Sequence, residues 1–211
     1  MDYSSDIAFT DRVKSIQSRK GSRFLYSRME ENGSWATEIT PMLANYIAQQ
    51  RSVFFATANE EGQPYIQHRG GQPGFIKVLD NKTLGFVDYK GNQQFISQGN
   101  LADNAKAFLF LIDYQNQSRI KIWGEAKVIE EDADLMDKLL KGTETNLIRP
   151  EQVITFRILA WDRNCPQHIP QRFEGDDVRA ALHEKEERIQ ELETQLEALQ
   201  DKNSLAGYRG T

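Results

Sequence analysis

The stretch Ser52-Val53-Phe54-Phe55-Ala56-Thr57-Ala58-Asn59-Glu60-Glu61-Gly62-Gln63-Pro64-Tyr65-Ile66-Gln67-His68-Arg69 decides the fold. Its first seven residues are β-branched, aromatic or small. Asn59 to Gly62 is turn chemistry, and Pro64 to Arg69 reads as the returning strand. The same grammar recurs downstream. Phe75 to Leu79, the turn Asp80-Asn81-Lys82 and Thr83 to Asp88 make a second hairpin. Ala107 to Asp113 is a continuous apolar run, as expected of a strand buried on both faces. Tyr114 to Gln117 is a turn, Arg119 to Ile129 a further strand, and Val153 to Ala160 the last. A short helix is expected over Asn92 to Asn104 and a charged one over Asp132 to Lys141. Short strands at close spacing point to a barrel rather than a parallel α/β sheet.

The flanks are helical. Thr10 caps a helix carrying Val13 and Ile16, which Gly21 interrupts. Thr40 caps another, with Pro41 at the first helical position, where its missing N–H costs nothing. Leu43, Tyr46 and Ile47 then share one face. Near the other terminus, Val178, Leu182, Lys185, Ile189, Leu192, Leu196 and Leu199 are spaced 4, 3, 4, 3, 4, 3. That is a heptad seam with one charged interruption, read either as a self-associating coiled coil or as a helix packed on its own barrel. The expected organisation is therefore residues 1–50 as helices packing on the barrel, 51–175 as the barrel, 176–202 as the heptad helix and 203–211 as a frayed tail.

Composition narrows the function. The chain has 211 residues, 39% of them hydrophobic, enough to bury a core. Its 26 Lys and Arg against 31 Asp and Glu give a net charge of −5, which lacks the footprint of a nucleic-acid or anionic-membrane binder. The single cysteine, Cys165, excludes an intrachain disulfide and a Cys-based zinc site, and fits a reducing compartment. No signal peptide or transmembrane stretch is evident, so a cytoplasmic location is expected. There is no P-loop, no strand–GxGxxG–helix unit, no GxSxG elbow and no histidine pair at metal-ligand spacing; no metal is expected.

Three segments carry chemistry. In Gln67-His68-Arg69-Gly70-Gly71-Gln72-Pro73-Gly74-Phe75, glycines let backbone N–H groups approach a ligand, and Arg69 can bind a phosphate. The alternative is a Gly-Pro turn with a surface Arg. In Asp88-Tyr89-Lys90-Gly91-Asn92-Gln93-Gln94, a strand runs into a helix whose free N–H groups suit a phosphate; the alternative is an ordinary turn capped by Asn92. The segment from Trp161 to Phe173 is polar, Pro-rigidified and aromatic at both ends. It reads as an ordered loop, either ligand-facing or a chain exit capping the barrel.

These segments, in this order, resemble the flavin-binding relatives of pyridoxamine 5'-phosphate oxidase. The resemblance rests on Ala56-Thr57-Ala58, Gly62-Gln63-Pro64, Gln67-His-Arg-Gly-Gly71, Pro73-Gly74-Phe75, Val78-Leu79-Asp80, Gly91-Asn92, Asn100-Leu101, Phe108 to Leu111, Ile120-Lys-Ile-Trp-Gly124 and Asn164-Cys-Pro-Gln-His-Ile-Pro-Gln-Arg-Phe173. It implies a mainly β, α+β protein: a six-stranded antiparallel split barrel that forms a homodimer with FMN at the subunit interface. Lys77 matches the family's phosphate-gripping Lys, while the accompanying Arg position is Gln72. A Ser-Arg-Lys element of the oxidase appears here as uncharged Asn92-Gln93-Gln94, and its Arg-x-x-Gly as Lys121-Ile-Trp-Gly124. His168 and Arg172 are loose counterparts of the oxidase's substrate-phosphate residues. The resemblance implies an oxidoreductase acting on a small molecule. Its cofactor residues would come from His68, Arg69, Gly70, Gly71, Lys77, Val78, Asp88, Asn92, Gln93, Gln94, Arg119, Lys121, Trp161 and Gln171. His68, His168 and Arg172 are the candidate catalytic groups. Two further readings are a flavin- or haem-binding module without turnover, and an interaction protein that uses the heptad helix.

Overall fold

Antiparallel pairing organises the chain, seen here in a computed structural model that describes residues 2–142, 149–164 and 166–207. The strands are β1 (Ser52–Ala58), β2 (Pro64–Gly70), β3 (Lys77–Val78), β4 (Thr83–Tyr89), β5 (Lys106–Asp113), β6 (Ser118–Ile129) and β7 (Pro150–Asn164). They form one sheet in the order β2-β1-β5-β6-β7-β4-β3. The family resemblance implies six strands; the described sheet has seven, counting the two-residue β3, all that the expected Phe75–Leu79 strand contributes beside β4. The helices are α1 (Asp11–Lys20), α2 (Arg23–Glu31), α3 (Pro41–Ala48), α4 (Ile96–Asp103), α5 (Ala133–Leu140) and α6 (Gly175–Gly207).

The helix starts follow the capping chemistry in the sequence. Thr10 Oγ1 accepts the Val13 N–H at 3.3 Å and Thr40 Oγ1 the Leu43 N–H at 3.2 Å. Gly21 ends α1 in the left-handed conformation that glycine adopts without strain. α3 sends Leu43 and Ile47 into the core. Ile16 of α1 stays largely exposed, because Val13, Lys14 and Gln17 form the covered face.

Strand parity builds the core. On β1, Val53, Phe55 and Thr57 are buried while their neighbours are half-exposed. The register continues this inner row through Leu109 of β5 and Ile122 of β6. Leu84 and Phe86 of β4 and Ile154 and Phe156 of β7 complete it, and all are fully buried. Each such side chain contributes roughly 1.5–3 kcal/mol. The apolar run in β5 was expected to be buried on both faces. It alternates instead: Ala107, Leu109 and Leu111 face the core, and Phe108 and Phe110 lie half-buried on the outer face.

The sheet curls. β2 and β4 are far apart in strand order, yet Arg69 of β2 makes an ion pair with Asp88 of β4. Side chains, not backbone, bridge that seam. β7 is longer than expected: Trp161 to Asn164, read as loop, pair with β6 as far as Arg119↔Asn164. A register shift at Trp123/Gly124 absorbs the bend.

The chain separates into two compact units, residues 1–113 with 117–169, and residues 114–116 with 170–211. In the second, the Arg172 guanidinium lies over the Tyr114 ring at 4.6 Å, and Gln171 Nε2 donates to the Gln115 carbonyl at 3.1 Å. α6 runs to Gly207, past the expected end at 202.

Gly124 tests the bend. A Cβ there would meet the Arg157 carbonyl oxygen at 2.2 Å and the Phe156 ring at 2.4 Å. Backbone and a packed ring cannot both retreat, so Gly124→Ala should cost about 2–3 kcal/mol, read as a lower urea midpoint at unchanged slope.

Candidate functional site

Parity on β2 sorts the glycine-rich motif. Tyr65, Gln67 and Arg69 point inward, and Pro64, Ile66 and His68 point out. Arg69 and His68 are therefore on opposite faces of one strand. The inward set opens onto a small, shallow cleft that β4, α4 and β7 complete. Arg69, Asp88, Asn92, Gln93 and Gln94 all line it, so the structure gathers five of the expected cofactor residues in one place.

Arg69 and Asp88 are engaged with each other, and Glu151 adds a second carboxylate to the lining. The Arg69 guanidinium pairs with both Asp88 carboxylate oxygens. Gln152 Nε2 donates to Asp88 Oδ2 at 3.0 Å, and Ser97 Oγ donates to Gln67 Oε1 at 3.3 Å. Arg69 Nε is buried and has no hydrogen-bond partner among the described residues. Arg69 is also the one Lys or Arg among the described lining residues.

The turn from β4 to α4 is strained. Gln93 (φ 60°) and Phe95 (φ 52°) both occupy the left-handed region, which L side chains adopt at a cost. Asn92 stabilises the turn by accepting the Gln94 N–H at 3.2 Å. Phe95, at the N-cap of α4, supplies no side-chain acceptor. The N–H groups of Ile96, Ser97 and Gln98 thus begin a helix uncapped, on residues that line the cleft. This donor set suits an anion, and a phosphate in particular.

The other expected residues of the first unit do not line this cleft. His68 is exposed beside Phe54, their ring centroids 5.7 Å apart. Lys121 is on the outer face of β6, 3.1 Å from Asp162 Oδ2 and over the rings of Trp35 and Trp123 at 5.6 and 5.2 Å. It is a paired cation on a sheet face, not part of the cleft. Arg119 shares that outer row. Lys77 and Val78 form β3 at the opposite edge from β2. Gly70 and Gly71 answer to packing: a Cβ on Gly71 would strike Phe75 at 2.6 Å, and one on Gly70 would press on His68 and the Arg51 carbonyl. Trp161 is a core residue whose indole N–H donates to the Glu38 carbonyl at 2.9 Å. His168 is exposed, at φ 67°, and Gln171 and Arg172 belong to the second unit. Cys165 lies outside the described residues. Among the described residues, no group of His, Cys, Asp or Glu could hold a metal, and no helix is long and apolar enough to cross a membrane.

Tyr65, Ser97 and Gln152 line the cleft but were not singled out from sequence. The two-residue period of β2 was the available signal for the first. Gln152 had none, because its role depends on which strand β7 pairs with.

The sequence profile of the pyridoxamine 5'-phosphate oxidase family matches residues 39–165, and the chain belongs to that family. No curated protein matches it. Among solved structures, HupZ of Group A Streptococcus is 21% identical, with a TM-score of 0.48 over 64% of this chain and 99% of that one. An FMN-binding protein of Syntrophomonas wolfei is 13% identical, with a TM-score of 0.43 over 73% and 97%. HutZ, the haem storage protein of Vibrio cholerae, is 12% identical, with a TM-score of 0.38 over 57% and 89%. At these identities and scores the resemblance is distant.

The cleft's central ion pair makes a sharp test. Asp88 is buried, so Arg69→Ala strands its carboxylate and should cost about 3 kcal/mol. Replacing both partners, Arg69→Met with Asp88→Leu, should recover most of that in the same urea titration.

Proposed function

We propose that this chain is an FMN-binding flavoprotein built on a split barrel, an oxidoreductase acting on a small molecule. The observation that carries the reading is the uncapped start of α4 at the strained Gln93–Phe95 turn, on residues that line a cleft shared with Arg69. These donors fit a phosphate group, and they lie within the segment that matches the family. FMN, when bound, would supply the electron-transfer chemistry. The chain's part is to hold it. The N–H groups of α4 and the side chains of Gln93 and Gln94 would grip the phosphate and ribityl chain, and Asp88 would keep Arg69 extended toward it.

The same reading makes the outer face of the sheet the dimer contact. Ile66, Phe54, Phe108 and Phe110 lie in adjacent rows there, Ile66 being 61% exposed. His68 sits in the row with Phe54 and Phe110, and Lys121 follows it on β6. A second copy on this face would bring both residues to a subunit interface. Apolar side chains of this size seldom stay exposed in contiguous rows without a partner.

A reading without turnover is favoured by one observation: the cleft has a single cation among its described lining residues, and that cation is paired. Such a site binds a flavin weakly and gains little from salt-sensitive attraction.

Purified protein titrated with FMN should show a saturable shift of the flavin bands, and a donor screen should then find one that bleaches them. No shift at high FMN would sink the flavin reading. A shift that no donor bleaches would leave the binding module. Gln94→Lys should tighten FMN about five- to tenfold, because a charge-assisted bond replaces a neutral one; unchanged affinity would remove the phosphate from this turn.

A further inference from the structure

α6 is 33 residues long, about 50 Å of helix. Its heptad stripe is exposed along its whole described length, with Leu182 at 58%, Leu196 at 56% and Leu199 at 58%. Leu182, Ile189 and Leu196 are the a positions. Val178, Lys185, Leu192 and Leu199 are the d positions. A lone helix with such a stripe has no reason to stay solvated.

The charges say what covers the stripe. Helix α6 is rich in carboxylates, but most of them avoid the positions beside the seam. Glu184 and Glu191 fall at c, Glu187 at f and Glu197 at b, all facing away. Beside the seam the signs are mixed: Arg179, Glu186 and Glu193 at e, and Arg188 at g. This is the charge distribution of a helix that pairs with its own kind. We infer that α6 forms a parallel, in-register, two-stranded coiled coil with α6 of a second copy. The inference goes beyond the flavin reading and does not depend on it.

Orientation follows from the pairs each arrangement creates. In the parallel coil, Arg188 faces Glu193 of the second copy, twice by symmetry, and Ala181 and Gln195 face Glu186 and Gln200 without conflict. Arg188 exchanges its present intrahelical partner, Glu191, for that contact. The antiparallel coil that keeps the seam apolar puts Glu186 against Glu193 of the second copy twice, and creates no opposite pair. The parallel arrangement also sets Lys185 against Lys185. That layer is tolerated because the long stems leave the seam toward Glu186 of the opposite helix. It is the weak layer of the coil. Ile189 at a followed by Leu192 at d favours two strands over three or four.

Cysteine cross-linking of the full-length chain reads the orientation directly. In a Cys165→Ser background, Leu199→Cys brings two thiols face to face in the parallel coil. In the antiparallel one they lie about 25 Å apart. Thr194→Cys, at an outer f position, is the control. The expected result on mild oxidation is at least about tenfold more disulfide-linked dimer for Leu199→Cys than for Thr194→Cys. Adding Glu193→Arg should lower it, and adding Arg188→Glu as well should restore it. Equal cross-linking of the two cysteines, or none at Leu199→Cys, overturns the inference. The flavin spectrum of the same samples reports the barrel separately, so failure of one reading leaves the other measured.

Discussion

A sheet that curls without closing must hold its two free flanks together by something other than backbone hydrogen bonds. Here that task falls to the Arg69–Asp88 ion pair, steadied by Gln152. It joins β2, at one end of the strand order, to β4, near the other. The pair sits where the seam meets the β4–α4 turn, so the contact that joins the sheet's flanks also lines the cleft. Its desolvation costs free energy that the fold must recover elsewhere. The fully apolar inner rows of β1, β5, β6, β4 and β7 are where that recovery happens.

Much of this was legible before any coordinates. Hairpin chemistry at Asn59–Gly62 and the Thr40-Pro41 cap are local signals found where the residues put them, and a helix covers the heptad stretch. What failed was context. Trp161 to Asn164 looked too polar for a strand, but β6 was long enough to pair with them. The run in β5 looked buried on both faces, but Phe108 and Phe110 are apolar for an outer face that is only half covered. Of the residues singled out as a site, the β4–α4 segment lines one cleft together with Arg69, whereas Lys121 lies on the outer sheet face, Lys77 on β3 and Trp161 in the core. A list of cations carries no information about which strand face each occupies; a two-residue count along β2 and β6 does.

The family membership and the departures from the family's pattern can be weighed together. Asn92, Gln93 and Gln94 keep hydrogen-bonding capacity at the turn and give up charge. Gln93 and Phe95 hold that turn in the left-handed region, at a cost the surrounding structure must offset. The N-terminal helices contribute on another front. Their segment delivers Trp35 onto β6, where it lies parallel to Trp123 with ring centroids 4.6 Å apart. Lys121 is held between those rings and Asp162.

That stacked pair has an optical consequence. The chain has three tryptophans, and two of them are in van der Waals contact across the join between the N-terminal segment and the sheet. Indole transitions at such a separation couple, and coupled transitions give paired circular-dichroism bands of opposite sign. The protein therefore carries a built-in spectroscopic gauge of whether residues near Trp35 are docked on β6, readable without any label. It reports on this one join, independently of the cleft.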